Sequence, residues 1–175
     1  FFLGTLTIER KAVTPNATGV SKVYDGSPNL SGLALTSADL LPGDVVTLSG
    51  SGAFGQKNVG SNLPYTLGSL AMAGADSGNY ALAVSSLNGN GSITAKPVVV
   101  SGVVVAPKVY DATTSATLQG TPHIAAVPGD DVVIGGGSAN FISKNAGAAR
   151  PVNVGGYVLT GQDAGNYSLS QPTDL

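Results

Sequence analysis

The chain has 175 residues, a charged fraction of 10% and a formal net charge of −2 at neutral pH. Its eight Lys and Arg residues are scattered, which argues against a nucleic-acid partner. Cysteine is absent, so disulfides and thiolate metal sites are excluded, and no apolar run approaches the roughly 18 residues of a membrane-spanning helix. Glu9 is the only glutamate, and the abundance of Gly, Ser, Thr, Val and Asn indicates an all-β chain.

In chain order, the first element is a segment ending in Ile8-Glu-Arg-Lys11, which aligns with Ile93-Thr-Ala-Lys96. We therefore expect residues 1–10 to be the end strand of a preceding repeat, or a surrogate for it. A helical turn capped by Ser37 is predicted at 36–41. Leu87-Asn-Gly-Asn-Gly-Ser92 predicts a hairpin turn, because Asn-Gly tolerates positive φ angles. Short apolar segments bounded by turn residues predict strands at 20–24, 33–35, 45–49, 63–67, 80–87 and 92–100.

The sequence repeats itself with a period of about 86 residues. Lys22-Val-Tyr-Asp25 recurs as Lys108-Val-Tyr-Asp111, and Pro42-Gly-Asp44 recurs as Pro128-Gly-Asp130. Asp76-x-Gly78-Asn79-Tyr80 recurs as Asp163-x-Gly165-Asn166-Tyr167. This last motif recurs 87 residues later rather than 86, because the second copy has one additional residue after its Pro-Gly-Asp. A repeat of this size indicates tandem domains, each with its own core.

Six or seven short strands in each repeat predict two small immunoglobulin-like β-sandwich modules. The first module is predicted at 11–96 and the second at 97–175. The second repeat stops before the counterpart of the strand at the end of the first, so we expect its last strand to be missing. Such a loss would leave a sheet edge unpaired.

The most specific motif is Asp-x-Gly-x-Tyr at the start of a strand, with Tyr80 in one repeat and Tyr167 in the other. This is the pattern of a tyrosine corner, in which the phenol hydroxyl bonds to upstream backbone. Leu82 and Leu169 stand where antibody domains have a cysteine. We therefore interpret both tyrosines as structural.

Taken together, these motifs resemble the YDG/MBG-type repeat domains of filamentous-haemagglutinin-like bacterial surface adhesins, which are exported by two-partner secretion. The resemblance covers nearly the whole chain. Its main residues are Tyr24, Asp25, Asp76, Gly78 and Tyr80 in the first copy, and Tyr110, Asp111, Asp163, Gly165 and Tyr167 in the second. It departs from the pattern in the second copy, where Ala112 replaces Gly26 and Ala146 replaces Val59. The resemblance implies a secreted, cell-surface adhesin segment and transfers no catalytic residue.

No constellation of residues supports an enzyme. His123 is the only histidine and is expected in a loop, so neither a histidine metal site nor a nucleophile–base pair can be assembled. Calcium is the one cofactor worth weighing, because Asp25, Asp44 and Asp76 recur in the second repeat. Turn-forming aspartate is the favoured reading. An isopeptide crosslink involving Lys57-Asn58 or Lys144-Asn145 is a further hypothesis.

Two tyrosines, Tyr65 and Tyr157, have no tyrosine counterpart in the other repeat. We therefore expect them at the surface, as the candidate contacts for a sugar. The sequence favours a structural stalk or spacer repeat of a secreted adhesin, involved in cell-surface attachment or biofilm aggregation, whose partners are neighbouring repeats. The alternative is a carbohydrate- or matrix-binding module for an exopolysaccharide or host glycan, with Arg150 or His123 also contributing.

Overall fold

The structure is a computed structural model and describes residues 4–172. Every regular element in this part of the chain is a strand, apart from two single 3-10 turns at Ser77–Asn79 and Ala164–Asn166. It contains no helix long and apolar enough to cross a membrane. The chain divides into two compact units, and the all-β class and the two tandem modules are therefore confirmed. Unit 1 comprises Phe1–Lys22 and Ser27–Thr94, and unit 2 comprises Val23–Gly26 and Ala95–Leu175.

Unit 1 is built on a five-stranded sheet, four strands of which pair antiparallel, and on a short parallel pair. Its strands are β1 (Lys11–Val13), β2 (Ser21–Val23), β3 (Asn29–Leu35), β4 (Thr47–Phe54), β5 (Gly60–Ala73), β6 (Tyr80–Leu82) and β7 (Leu87–Thr94). The order in the large sheet is β2-β7-β5-β4-β3, and β1 pairs with β6. In the central strand β5, Leu63, Tyr65 and Leu67 are buried at every second position, so one face of the sheet forms the core.

Unit 2 repeats this plan in smaller pieces. Its strands are β8 (Lys96–Val99), β9 (Ser101–Val105), β10 (Ser115–Ala116), β11 (Leu118–His123), β12 (Val133–Phe141), β13 (Val152–Thr160) and β14 (Tyr167–Ser170). They form the sheets β10-β12-β13, β11-β9 and β14-β8. The parallel pair of β8 and β14 corresponds to that of β1 and β6, since Lys96 lies opposite Tyr167 and Lys11 opposite Tyr80. A cluster of Val100, Val103 and Tyr157 lies in its core.

The hairpin expected at 87–92 is wrong, because these residues belong to strand β7. None of its glycines has a positive φ. They are needed for close packing instead. A Cβ at Gly89 would lie 2.5 Å from the Tyr65 hydroxyl oxygen, and one at Gly91 would lie 2.3 Å from the Val20 carbonyl oxygen. Glycine inside a strand here marks the close approach of a ring and of another backbone.

Two other expectations about local structure have different outcomes. The segment 36–41 contains turns rather than a helix, with the Ser37 hydroxyl accepting a bond from the Asp39 N–H at 3.1 Å. Residues 4–10 have no regular secondary structure and are exposed, while residues 1–3 lie outside the described part of the chain. The interpretation of 1–10 as an end strand therefore stays a prediction.

Candidate functional site

The first tyrosine corner is formed by Tyr80 and Asp44 in unit 1. The Tyr80 hydroxyl donates to Asp44 Oδ2 at 2.5 Å and accepts the Leu41 N–H at 3.1 Å. Asp76, one 3-10 turn before Tyr80, accepts the Val45 N–H at 2.8 Å. The bond to the Asp44 carboxylate raises the pKa of Tyr80, because a carboxylate acceptor favours the protonated phenol. The corner thus joins the start of β6 to the loop before β4.

Unit 2 contains the same corner with the corresponding residues. The Tyr167 hydroxyl donates to Asp130 Oδ2 at 2.5 Å and accepts the Val127 N–H at 2.8 Å. Asp163 accepts the Asp131 N–H at 3.0 Å. The pKa of Tyr167 is raised to about 12, mainly because the phenol is buried and secondly because it donates a hydrogen bond to Asp130. The roles of Asp44 and Asp130 were missed at the sequence level, although both recur together with the corner tyrosines.

The corner of unit 2 holds a second tyrosine, Tyr24, which belongs to this unit although it lies in the first sequence repeat. Its hydroxyl donates to the same oxygen, Asp130 Oδ2, at 2.8 Å. Its ring packs edge-on against Tyr167 with centroids 5.6 Å apart and planes at 74°. The side chain is 1% exposed. Aromatic pairs prefer such edge-to-face geometry, so Tyr24 is a core residue of unit 2.

The loop that carries each Tyr-Asp motif is closed by the lysine at its start. Lys22 Nζ donates to the carbonyls of Ser27 at 3.0 Å and Asn29 at 2.8 Å. Lys108 Nζ makes the equivalent bonds to Thr113 at 3.1 Å and Ser115 at 2.8 Å. The two loops therefore share one lysine clasp, which holds the backbone around the tyrosine.

In the second loop this clasp includes an ion pair. Lys108 lies 2.8 Å from Asp111 Oδ1, which also accepts the N–H of Thr113 at 2.9 Å. The pKa of Asp111 is lowered to about 2, mainly by the hydrogen bond from Lys108 and secondly by the hydrogen bonds from Thr113. At the loop tip, Ala112 has a φ of +66° where Gly26 has +82°. The left-handed backbone is thus kept even without glycine, at a cost of about 1–2 kcal/mol.

The tyrosine of the second loop is not buried. Tyr110 is 59% exposed and its neighbour Val109 is 88% exposed. The recurring tyrosines thus occupy different environments, although their loops share the lysine clasp and the left-handed tip.

Tyr65 and Tyr157 are not surface residues, so the expectation that they lie exposed as sugar contacts is wrong. They are 6% and 4% exposed. The Tyr65 ring packs edge-on against Phe54 with centroids 6.0 Å apart. The Tyr157 ring covers Gly137, where a Cβ would lie 2.4 Å from a ring carbon. A tyrosine ring fills the space beside a strand glycine, which has no side chain. Tyr65 does this over Gly89 in unit 1, and Tyr157 does it over Gly137 in unit 2.

The other candidate residues do not converge on a site. His123 ends strand β11 rather than lying in a loop, is exposed, and its Nδ1 lies 3.2 Å from the Thr121 carbonyl oxygen. Arg150 donates to the Ala146 carbonyl at 2.8 Å in an exposed loop. Among residues 4–172, no group of three His, Asp or Glu side chains is close enough to hold a metal ion. Lys144 and Asn145 are both exposed, and the isopeptide stays a prediction.

Unit 2 has an open groove of about 460 Å³, lined by residues that include Tyr110, Phe141, Lys144 and Val152. In unit 1 the counterparts of Phe141 and Val152 are Phe54 and Tyr65, which are covered by Gly91 and Gly89 of β7. The counterpart of β7 would begin near position 174, outside the described residues. The expectation that the last strand of the second repeat is missing therefore stays a prediction.

One protein-family model, that of the YDG domain, matches the chain twice, at residues 9–87 and at residues 94–174. The two matches cover most of the chain, which therefore belongs to the YDG domain family. No curated protein and no solved structure matches the chain.

Proposed function

We propose that this chain is a structural spacer segment of a secreted bacterial adhesin, displayed at the cell surface and serving attachment or biofilm aggregation. The adhesin context comes from the resemblance of the repeated motifs to those of surface adhesins. The proposal assigns the chain no catalysis and no cofactor, calcium included. Its partners are neighbouring repeats of the same type.

The observation that carries this proposal is the use made of the recurring residues. Tyr80 and Tyr167 bind a carboxylate and a backbone N–H, and Lys22 and Lys108 bind loop carbonyls. A duplicated ligand site would direct side chains of this kind toward an open pocket. Here all four side chains hold loops in place, as a structural module requires, and Lys108 does so although it also lines the groove of unit 2.

A further point in favour of a spacer is that Tyr24, from the first sequence repeat, is a core residue of unit 2. Folding of unit 2 is thereby linked to the repeat that precedes it in the chain. The carbohydrate-binding alternative is not favoured, because Tyr65 and Tyr157, two of its four candidate contacts, are buried.

The proposal is tested by a binding screen of the folded chain against a glycan array and immobilised exopolysaccharides, with and without calcium. A spacer is expected to give no specific binding under either condition. Saturable binding to one glycan class would contradict it and would support the binding-module alternative. Location is tested separately with antibodies against the chain. They should label intact producing bacteria, and labelling that requires lysis would refute the surface assignment.

A further inference from the structure

Unit 1 has a tyrosine acceptor site formed by Leu41, Asp44 and Tyr80. In it the Asp44 carboxylate accepts the Tyr80 phenol at 2.5 Å, and the Leu41 N–H donates to that phenol. Unit 2 has the same three positions in Val127, Asp130 and Tyr167, with the same 2.5 Å bond. The two acceptor sites are therefore built alike.

The acceptor site of unit 2 is occupied by Tyr24. Its phenol adds a second hydrogen bond to Asp130 Oδ2, and its ring packs on Tyr167. The loop tip follows it, since a Cβ at Gly26 would lie 2.7 Å from Val127 Cγ1 and 3.8 Å from Val127 Cβ, so an alanine at this place requires the facing side chain to shift. Asp130 and Val127 are both half-buried.

The acceptor site of unit 1 is more open. Asp44 is exposed where Asp130 is half-buried, and Leu41 is 53% exposed where Val127 is half-buried. Tyr80 itself is only 2% exposed, so the open part of the site is the carboxylate and the leucine beside it. These are the two groups whose counterparts in unit 2 lie beside Tyr24 and Gly26.

The chain also carries a second loop with the form needed to fill such a site. The loop around Tyr110 is closed by Lys108 and has its left-handed residue, Ala112, at the same place as Gly26. Tyr110 and Val109 extend from it with exposed fractions of 59% and 88%. Because the loop is already ordered, binding would not have to order its backbone, and this reduces the entropic cost of association.

We propose that the acceptor site of unit 1 binds the Tyr110 loop of a second copy of this chain. In the complex the Tyr110 phenol donates to the Asp44 carboxylate, and Ala112 packs against Leu41. This inference rests on the proposed function, which it deepens by naming the partner surface. The contact is heterologous, since the donor loop and the acceptor site are different surfaces, and it would join copies head to tail.

Disulfide trapping tests the contact, because the chain contains no cysteine of its own. The 3.8 Å separation found for the Gly26 and Val127 positions matches the Cβ–Cβ distance of a disulfide. One full-length chain carries Leu41→Cys and the other carries Ala112→Cys. They are mixed in a glutathione redox buffer, and the crosslinked heterodimer is identified by mass spectrometry.

The matched control replaces Leu41→Cys with Val133→Cys, since Val133 is 58% exposed on β12. Docking should make the 41–112 heterodimer form at least about tenfold faster than the 133–112 heterodimer, because it raises the local concentration of the two thiols. Adding Tyr110→Ala to the Ala112→Cys chain should remove this advantage.

Equal rates for the two pairs, or an advantage that survives Tyr110→Ala, would overturn the docking proposal. The glycan screen reports separately on the spacer function. If crosslinking is slow and no glycan binds, only the docking proposal is refuted. If crosslinking is fast and a glycan binds, only the spacer proposal is refuted.

Discussion

Replacing Tyr24 should destabilise unit 2, although the residue lies in the first sequence repeat. Tyr24 is 1% exposed, donates to Asp130 at 2.8 Å and packs edge-on against Tyr167. Two variants separate these contributions. Tyr24→Phe removes the hydroxyl and keeps the ring, whereas Tyr24→Ala removes both.

The size of each effect follows from the contacts. A hydrogen bond to a charged group contributes about 1.5–3 kcal/mol. Asp130 keeps its bond from Tyr167, so no carboxylate is left without a donor and we expect about 1–2 kcal/mol for Tyr24→Phe. Removal of a buried aromatic ring costs about 3–5 kcal/mol, which is the expectation for Tyr24→Ala.

The assay is native-state hydrogen exchange of backbone amides in the paired strands β12 and β13, supported by urea unfolding. Loss of protection should appear in these strands of unit 2. The matched controls are Tyr110→Phe and Tyr110→Ala, because Tyr110 occupies the equivalent sequence position and is 59% exposed. Each control should change stability by less than about 0.5 kcal/mol. If the Tyr24 and Tyr110 variants behaved alike, the assignment of Tyr24 to the core of unit 2 would be refuted.

Three further predictions concern single side chains. Gly91→Ala should destabilise unit 1 by at least about 2 kcal/mol in urea unfolding, because its Cβ would lie 2.3 Å from the Val20 carbonyl oxygen. The control Gly68→Ala, with no atom within 4 Å of its Cβ, should be close to neutral, and equal losses would contradict the packing argument. Tyr65→Ala should lower the stability of unit 1 by about 3–5 kcal/mol, and a fully stable variant would show that the ring is not part of the core. The pKa of Tyr167 is raised to about 12 from a usual 10.0, so its contribution to stability is complete below pH 10 and is lost as the pH rises toward 12. Alkaline unfolding monitored by circular dichroism should show this loss of stability, and the loss should be smaller in Tyr167→Phe.

Much of the fold was predictable because it depends on local patterns and on the repeat. The period of about 86 residues predicted two modules, and the short bounded strands predicted an all-β chain. The Asp-x-Gly-x-Tyr pattern predicted that the corner hydroxyls bond to upstream backbone, and Tyr80 and Tyr167 accept the N–H groups of Leu41 and Val127. The carboxylate in each corner was not predicted, since Asp44 lies 36 residues before Tyr80 in the sequence.

The errors came from residues whose local preference was overruled by packing. Asn88-Gly-Asn-Gly91 has the composition of a turn, yet it forms a strand, because rings and backbone approach those glycines closely. Tyr65 and Tyr157 were expected at the surface because neither has a counterpart, but each fills the core of its own unit. A difference between repeats therefore did not identify a ligand site.

The sequence by itself determined that this is a tandem all-β protein with two copies of one tyrosine corner, because turn chemistry, strand patterning and repetition are properties of the chain. Only the tertiary structure decided which tyrosines are buried. Tyr24 and Tyr110 share the local sequence Lys-Val-Tyr-Asp, and yet one is 1% exposed and the other 59%. The physical reason is that burial depends on what covers a side chain. For Tyr24 this is Asp130 and Tyr167, which lie more than a hundred residues away along the chain.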